Sequence, residues 1–265
     1  MKLKNYLIKI FLCLPFCVLI TYSNVASADN IPNYKRETNI DRQILGDIFD
    51  GEVEKITSNL NESFSIIRYS SLEKEKAILL LHGRGLNPNE ENVMQPLRVG
   101  LFEEGYNTFS IQLPVLDKGK TFYDYRKIFK YSDERINSSI KKILNSNKEV
   151  IIIAHSCGVH MLMSWVRKHH NNSVKAFILI GSEAVDIGQK IIHPYPYNKI
   201  KTPILDVYGE NDYKSIKRNA GKRLSDIKNA SNNKSSQVKI FGSDHYHRDN
   251  ADELFKAVNQ WLKTL

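Results

Sequence analysis

The run Glu149-Val-Ile-Ile-Ile-Ala-His155, which stops at Ser156, constrains this chain more than any other stretch. β-Branched residues in succession, with no polar interruption, make a strand buried on both faces, the usual state of a central strand in a parallel sheet. The residues from Gly158 to Arg167 carry apolar side chains at roughly helical spacing. The chain therefore turns from strand to helix at Ser156.

Such a turn has a steric requirement. Where a serine sits in a strained conformation on a tight strand-to-helix bend, the positions two before and two after it must be small, so that strand and helix can pass closely. Here those positions are Ala154 and Gly158. A nucleophile on such a bend usually has the spacing G-x-S-x-G, from which Ala154 is a mild departure. A plainer assignment is also open, in which Ser156 only caps the helix that follows. Cys157 is the rival nucleophile, because a thiol is intrinsically the stronger one. Centring the bend on Cys157 would put His155 and Val159 at the crowded positions, and neither is small. Cys157 is assigned instead to donate its backbone N–H to an oxyanion.

The first residues read differently from the rest. Lys2, Lys4 and Lys9 precede a short apolar run over 10–20, and the stretch closes on Ala26-Ser-Ala28. A basic start, a brief apolar segment and an Ala-x-Ala ending are the parts of a secretory signal peptide, and the run is short for a membrane span. The expected organisation is a signal peptide over 1–28 and one domain over 29–265, with the mature protein periplasmic or secreted; an uncleaved membrane anchor is the alternative. N-terminal sequencing of exported protein checks this, with Asp29 expected first. Removal of 1–28 would take Cys13 and Cys17, leaving Cys157 with no partner for an intramolecular disulfide. It would also remove three Lys and no acid, lowering the formal charge from +9 to +6. That charge is scattered, without a block of like residues, so it implies a solvated surface with at most weak attraction to an anionic membrane surface, and no nucleic-acid partner.

Three further stretches end a strand in polar residues. Ala77-Ile-Leu-Leu-Leu-His-Gly-Arg-Gly85 is a buried strand followed by a loop that Gly85 and Asn87-Pro88 force. An acyl-transfer site needs a second backbone N–H from such a loop, and Arg84 is assigned to supply it, with His82 and Gly83 supporting the loop. The Arg84 side chain either holds an anionic part of a substrate or pairs with a nearby carboxylate. Pro203-Ile-Leu-Asp-Val-Tyr-Gly-Glu-Asn-Asp212 puts an acid after a strand and a Gly turn; Asp212 is the expected partner of a histidine, with Asp206 as the alternative. Gln237-Val-Lys-Ile-Phe241 leads into Gly242-Ser-Asp-His-Tyr-His247, where His245 is the expected base and His247 the alternative.

Elsewhere the periodicity predicts a helix over 39–49, a strand over 64–69, helices over 90–104 and 132–146, strands over 106–114 and 174–181, and a closing helix over 250–265 with an Asn250/Glu253 capping box. The aromatic segment 115–131 either walls a pocket or packs in the core. The loop over 182–202 is too short for a large lid domain.

Taken together, Leu81-His-Gly-Arg-Gly85, Ala154-His-Ser-Cys-Gly158, Gly209-Glu-Asn-Asp212 and Gly242-Ser-Asp-His245 resemble the α/β-hydrolase superfamily, in the chain order Ser, Asp, His. Phe49-Asp-Gly-Glu52, Pro96-Leu-Arg98 and Ser110-Ile-Gln-Leu-Pro114 resemble an exported bacterial branch of it whose function is not known. The resemblance implies an α/β fold, a mostly parallel sheet flanked by helices on both faces, with three catalytic residues on loops at the strands' C-terminal ends. It implies no particular substrate. The residue types then lead to a serine hydrolase acting on a small carboxylic ester or thioester, with no metal or organic cofactor. An acyltransferase using the same triad and a non-catalytic exported binding protein are the alternatives.

Overall fold

The computed structural model describes residues 30–169, 172–230 and 233–265; the expected signal peptide lies outside them. Eight strands form one sheet in the order β1-β2-β4-β3-β5-β6-β7-β8. They are β1 (Glu52–Thr57), β2 (Ser63–Tyr69), β3 (Lys76–Leu81), β4 (Asn107–Ile111), β5 (Glu149–His155), β6 (Val174–Ile180), β7 (Ile204–Gly209) and β8 (Ser236–Ile240). β1 and β2 pair antiparallel to each other, and β2 pairs antiparallel to β4. From β4 to β8 every pairing is parallel, with β5 between β3 and β6.

Both faces of the parallel part are buried, and the period of two distributes each strand between two cores. Leu79, Leu81, Ile152, Ala154 and Leu179 belong to one core, while Ile78, Leu80, Ile151, Ile153 and Ile178 belong to the other. The first is covered by the short α3 (Phe122–Tyr125), α4 (Phe129–Ile143), α5 (Cys157–Lys168) and the Ile227 end of α6 (Lys214–Asn229). The second is covered by α2 (Met94–Glu103) and α7 (Ala251–Leu262). This is the layered α/β architecture that the sequence predicts. No helix among the described residues is long and apolar enough to cross a membrane.

Several local expectations are corrected. The first helix, α1, is Tyr34–Ile44 rather than 39–49, and Leu45 and Phe49 are exposed. An ion pair, not an apolar stripe, docks it: Glu37 meets the fully buried Arg135 at 3.0 Å, and Arg135 also holds Glu62. The helix predicted from 90 starts at Met94, because the Glu90 carboxylate folds back to accept the backbone N–H groups of Val93 and Met94. The Asn250 side chain makes no capping bond to α7; its backbone N–H closes a turn on the His247 carbonyl instead. Two of the three stretches that carry the narrower resemblance meet: the Arg98 guanidinium donates to the Asp50 carbonyl, and also to Asn89.

Candidate active site

β5 delivers its last residue to the sheet's C-terminal rim, and the chain then reverses into α5. Ser156 takes φ 54° and ψ −118°, a strained conformation that costs a non-glycine residue roughly 1–3 kcal/mol. Its backbone N–H is held by the Ile180 carbonyl of β6 at 2.8 Å. Two residues later α5 passes over the end of β3, so closely that a Cβ on Gly158 would lie 2.6 Å from the carbonyl oxygens of Leu81 and His82. Backbone cannot yield as a side-chain tip can. Gly158→Ala is therefore expected to lower the unfolding free energy by about 1–3 kcal/mol, read from urea titrations. An unchanged midpoint would mean that the approach is looser than described.

Three side chains converge above this bend. The Ser156 Oγ lies 2.8 Å from His245 Nε2, and His245 Nδ1 lies 2.7 Å from Asp212 Oδ1. The direction of the bonds follows from the chemistry: Nδ1–H donates to the carboxylate, leaving Nε2 to accept from the serine hydroxyl. Because the Ser156 hydroxyl is engaged here and makes no capping bond to α5, the plain capping assignment does not describe it. Burial pushes the Asp212 carboxyl up, but the hydrogen bond from His245 and its charge outweigh this and hold the carboxyl below its ordinary value. The Tyr213 N–H adds a bond of 2.7 Å to the same oxygen.

The alternatives fall elsewhere. Asp206 is buried within β7 and binds Arg223 at 3.0 Å and Gln237 at 2.7 Å. His247 bonds to the Ser243 hydroxyl at 2.8 Å. The Cys157 thiol is buried, and burial pushes it up to about 12, so it is not a thiolate near neutrality.

The loops are held by bonds that fix their backbones. His82 is buried, donates from Nδ1 to the Gly83 carbonyl at 2.8 Å, and accepts the Leu113 N–H on Nε2 at 2.9 Å. That tautomer joins the ends of β3 and β4. Gly83 packs tightly against Ser156: a Cβ there would lie 3.3 Å from that of Ser156 and 3.1 Å from Leu86 Cδ1, so its neighbours would have to shift by a few tenths of an ångström. Arg84 and Cys157 both border the space above Ser156. Cys157 opens α5, where a backbone N–H has no intrahelical carbonyl to meet. The Arg84 guanidinium is a bidentate partner of Asp186, at 2.5 and 2.7 Å, which resolves its side chain in favour of a carboxylate.

Sequence reasoning missed four contributors. His155, one residue before the serine, donates from Nε2 to the His245 carbonyl at 2.9 Å, so the strand that carries Ser156 also fixes the histidine loop. Asp186 accepts the Phe122 N–H at 2.7 Å besides binding Arg84, joining the loops after β3, β4 and β6. Tyr213 stacks on the His245 ring with centroids 4.2 Å apart, and its hydroxyl meets Tyr246 at 3.2 Å. His160 ties α5 to the Ala184 carbonyl at 2.7 Å. The only sequence signal was position: Tyr213 follows the acid and His155 precedes the serine. The aromatic segment does both things that were open for it, since Phe122 borders the space above Ser156 while Tyr125 is buried and accepts the Leu116 N–H.

That space is a cavity of about 750 Å³ with Ser156 and His245 in its wall. Its volume suits a small organic molecule.

Comparison with known proteins gives a serine hydrolase family model matching residues 133–231. No curated protein matches the chain. Among solved structures, an esterase from Pyrococcus furiosus is similar with TM-score 0.63 and 15% identity over 84% of this chain and 93% of its own. An esterase from Exiguobacterium antarcticum has TM-score 0.62 and 15% identity over 80% of this chain and 100% of its own. A protein of unknown function from Agrobacterium tumefaciens, a putative α/β hydrolase, has TM-score 0.61 and 14% identity over 80% of this chain and 95% of its own. At such identities the likeness carries the fold alone, and the fold is that of the α/β hydrolases.

Proposed function

We propose that this chain, which has the α/β-hydrolase fold, is an exported serine esterase that cleaves a small carboxylic ester or thioester through an acyl-enzyme on Ser156. The observation that supports it is the pair of hydrogen bonds, 2.8 and 2.7 Å, linking Ser156, His245 and Asp212 at the wall of an accessible cavity. A serine hydroxyl is a poor nucleophile near neutral pH, so its proton must pass to His245 Nε2 as Oγ attacks the acyl carbon. The negative charge that develops on the carbonyl oxygen falls to the N–H groups of Arg84 and Cys157. His245 returns the proton to the departing alcohol or thiol. Water then repeats the sequence on the acyl-enzyme, freeing the acid and restoring Ser156. Asp212 keeps the imidazole in the tautomer that both halves need.

Strain at Ser156 and the two histidines that hold the surrounding backbone support the same reading, because preorganised donors and a fixed nucleophile do not reorganise during reaction. The test is turnover of p-nitrophenyl esters of increasing acyl length by purified mature protein. Saturable hydrolysis with an optimum at one acyl length is expected. Rates equal to buffer for every ester and thioester tried would remove the proposal. Export is part of the proposal on the strength of residues 1–28 alone.

A further inference from the structure

The helix α6 begins against the logic of its own dipole. The N-terminal end of a helix carries partial positive charge, favours acidic side chains and disfavours basic ones. Yet its first turn holds no acid, and Lys214, Lys217 and Arg218 fall within its first five residues. Tyr213, at the cap position, makes no side-chain capping bond, and the first backbone N–H groups of a helix have no carbonyl within it to meet. Positive charge thus accumulates where the helix dipole disfavours it.

That point is beside the reaction centre. Tyr213, the residue before α6, stacks on the His245 ring at 4.2 Å, and Lys214, Ser215 and Arg218 line the same cavity as Ser156. Lys214 and Arg218 are four apart and so lie on one face of the helix. Lys217 is directed elsewhere, to the Glu210 carbonyl at 3.0 Å. The ion pairs of α6 are made by Lys222 and Arg223. Nearby carboxylates are already engaged: Asp186 with Arg84, Asp212 with His245, Glu183 with Asn219 and Glu210 with the Gly242 N–H. With the Arg84–Asp186 pair neutral, the cavity wall retains the two charges of Lys214 and Arg218.

We infer that the substrate carries an anionic group, a carboxylate or phosphate, which Lys214 and Arg218 receive while Ser156 attacks the ester. This deepens the esterase reading and rests on it. From one face of α6 the two side chains supply charge-assisted bonds to such a group. An anion there would also relieve the unfavourable charge at the start of α6.

The experiment uses matched esters. On the acyl side, 4-nitrophenyl hexanoate is compared with the 4-nitrophenyl monoester of adipic acid; on the alcohol side, butyl butyrate is compared with the butyrate ester of 4-hydroxybutanoate. In one of the pairs the wild type should favour the anionic member by roughly fivefold or more in kcat/KM at low salt, and the preference should shrink as salt is added. Lys214→Gln/Arg218→Gln should bring the ratio to about one, and Lys214→Glu/Arg218→Glu should invert it, which a merely structural role for these residues would not do. Calorimetry of the Ser156→Ala protein with the same pairs reads the preference without turnover. Tighter binding of an anionic member without hydrolysis by the wild type would uphold the anion-receiving role of Lys214 and Arg218 and end the esterase reading. Hydrolysis and binding with no anionic preference on either side, or a preference that survives both double variants, would overturn the inference while the esterase reading stands.

Discussion

Ser156→Ala should lower kcat/KM for the preferred ester by at least about 10³-fold, a loss of about 4 kcal/mol of transition-state stabilisation. The variant removes one oxygen. It leaves His245 paired with Asp212 at 2.7 Å, and the loops held by His82 and His155 keep their own bonds. The φ of 54° at position 156 is no harder for Ala than for Ser, so the unfolding free energy should stay within about 1 kcal/mol of wild type. A large kinetic loss with a small change in stability is the signature of a reacting atom rather than a packing one. Loss of the whole fold in this variant would leave the kinetic change without meaning, which is why the urea midpoint is measured on the same preparation. Turnover within tenfold of wild type, on a folded variant, would exclude Ser156 as the nucleophile.

The second large effect is on stability below neutral pH. His82, His155, His160 and His247 are all buried, and burial first of all pushes each from an ordinary 6.5 down to about 4. His82 accepts an N–H on one ring nitrogen and donates to a carbonyl with the other, so a further proton has no place to go. His160 is held the same way, donating to Ala184 and accepting from the Tyr195 hydroxyl. Between about pH 6.5 and 4 the unfolded chain therefore binds protons that the native state refuses, and stability must fall as the pH drops through that window. Each histidine contributes up to about 3 kcal/mol of this loss at the bottom of the window. Glu37, Asp133 and Glu183 act in the opposite sense, because burial raises them and they take up protons more readily in the folded state. Four histidines at about 3 kcal/mol each still approach the whole stability of an ordinary domain, about 5–15 kcal/mol. The urea midpoint should accordingly be at least halved between pH 7.5 and 4.5. A midpoint that is flat over that range would contradict the buried neutral histidines.

What the sequence reveals of this molecule depends on whether an element is docked by apolar side chains or by charge. The strands β3, β5 and β6 are uninterrupted apolar runs and are readable without any structure. Helix α6 is not, because its buried stripe is Ile216, Ala220, Arg223 and Ile227, with a charged residue where periodicity calls for an apolar one. Arg223 is buried because Asp206 of β7 receives it at 3.0 Å and the Ile216 carbonyl at 2.7 Å. The misplaced start of α1 has the same origin in Glu37 and Arg135. Strand β1, Glu52-Val-Glu-Lys-Ile-Thr57, alternates weakly at an edge and carries little apolar signal.

At the site, residues that end a strand and precede a Gly turn or a helix were legible, since the type and place of Ser156, Asp212 and His245 are themselves the signal. The groups that position them were not. Asp186 lies 102 residues from its partner Arg84, and nothing local marks it. Gly209 also shows its role only in three dimensions: a Cβ there would sit 2.4 Å from the Ser243 carbonyl oxygen, so the bareness of the β7 turn is what lets the Asp212 and His245 loops close on one another.

The proposed activity requires one chemical property, a serine hydroxyl made nucleophilic by its neighbours. Incubation of the purified protein with a fluorophosphonate, followed by proteolysis and mass spectrometry, reads that property without knowledge of the substrate. A single adduct on the peptide containing Ser156, absent from Ser156→Ala and strongly slowed in His245→Ala, is the predicted result. An unmodified Ser156 in folded wild-type protein, or labelling that persists at the same rate without His245, would contradict it.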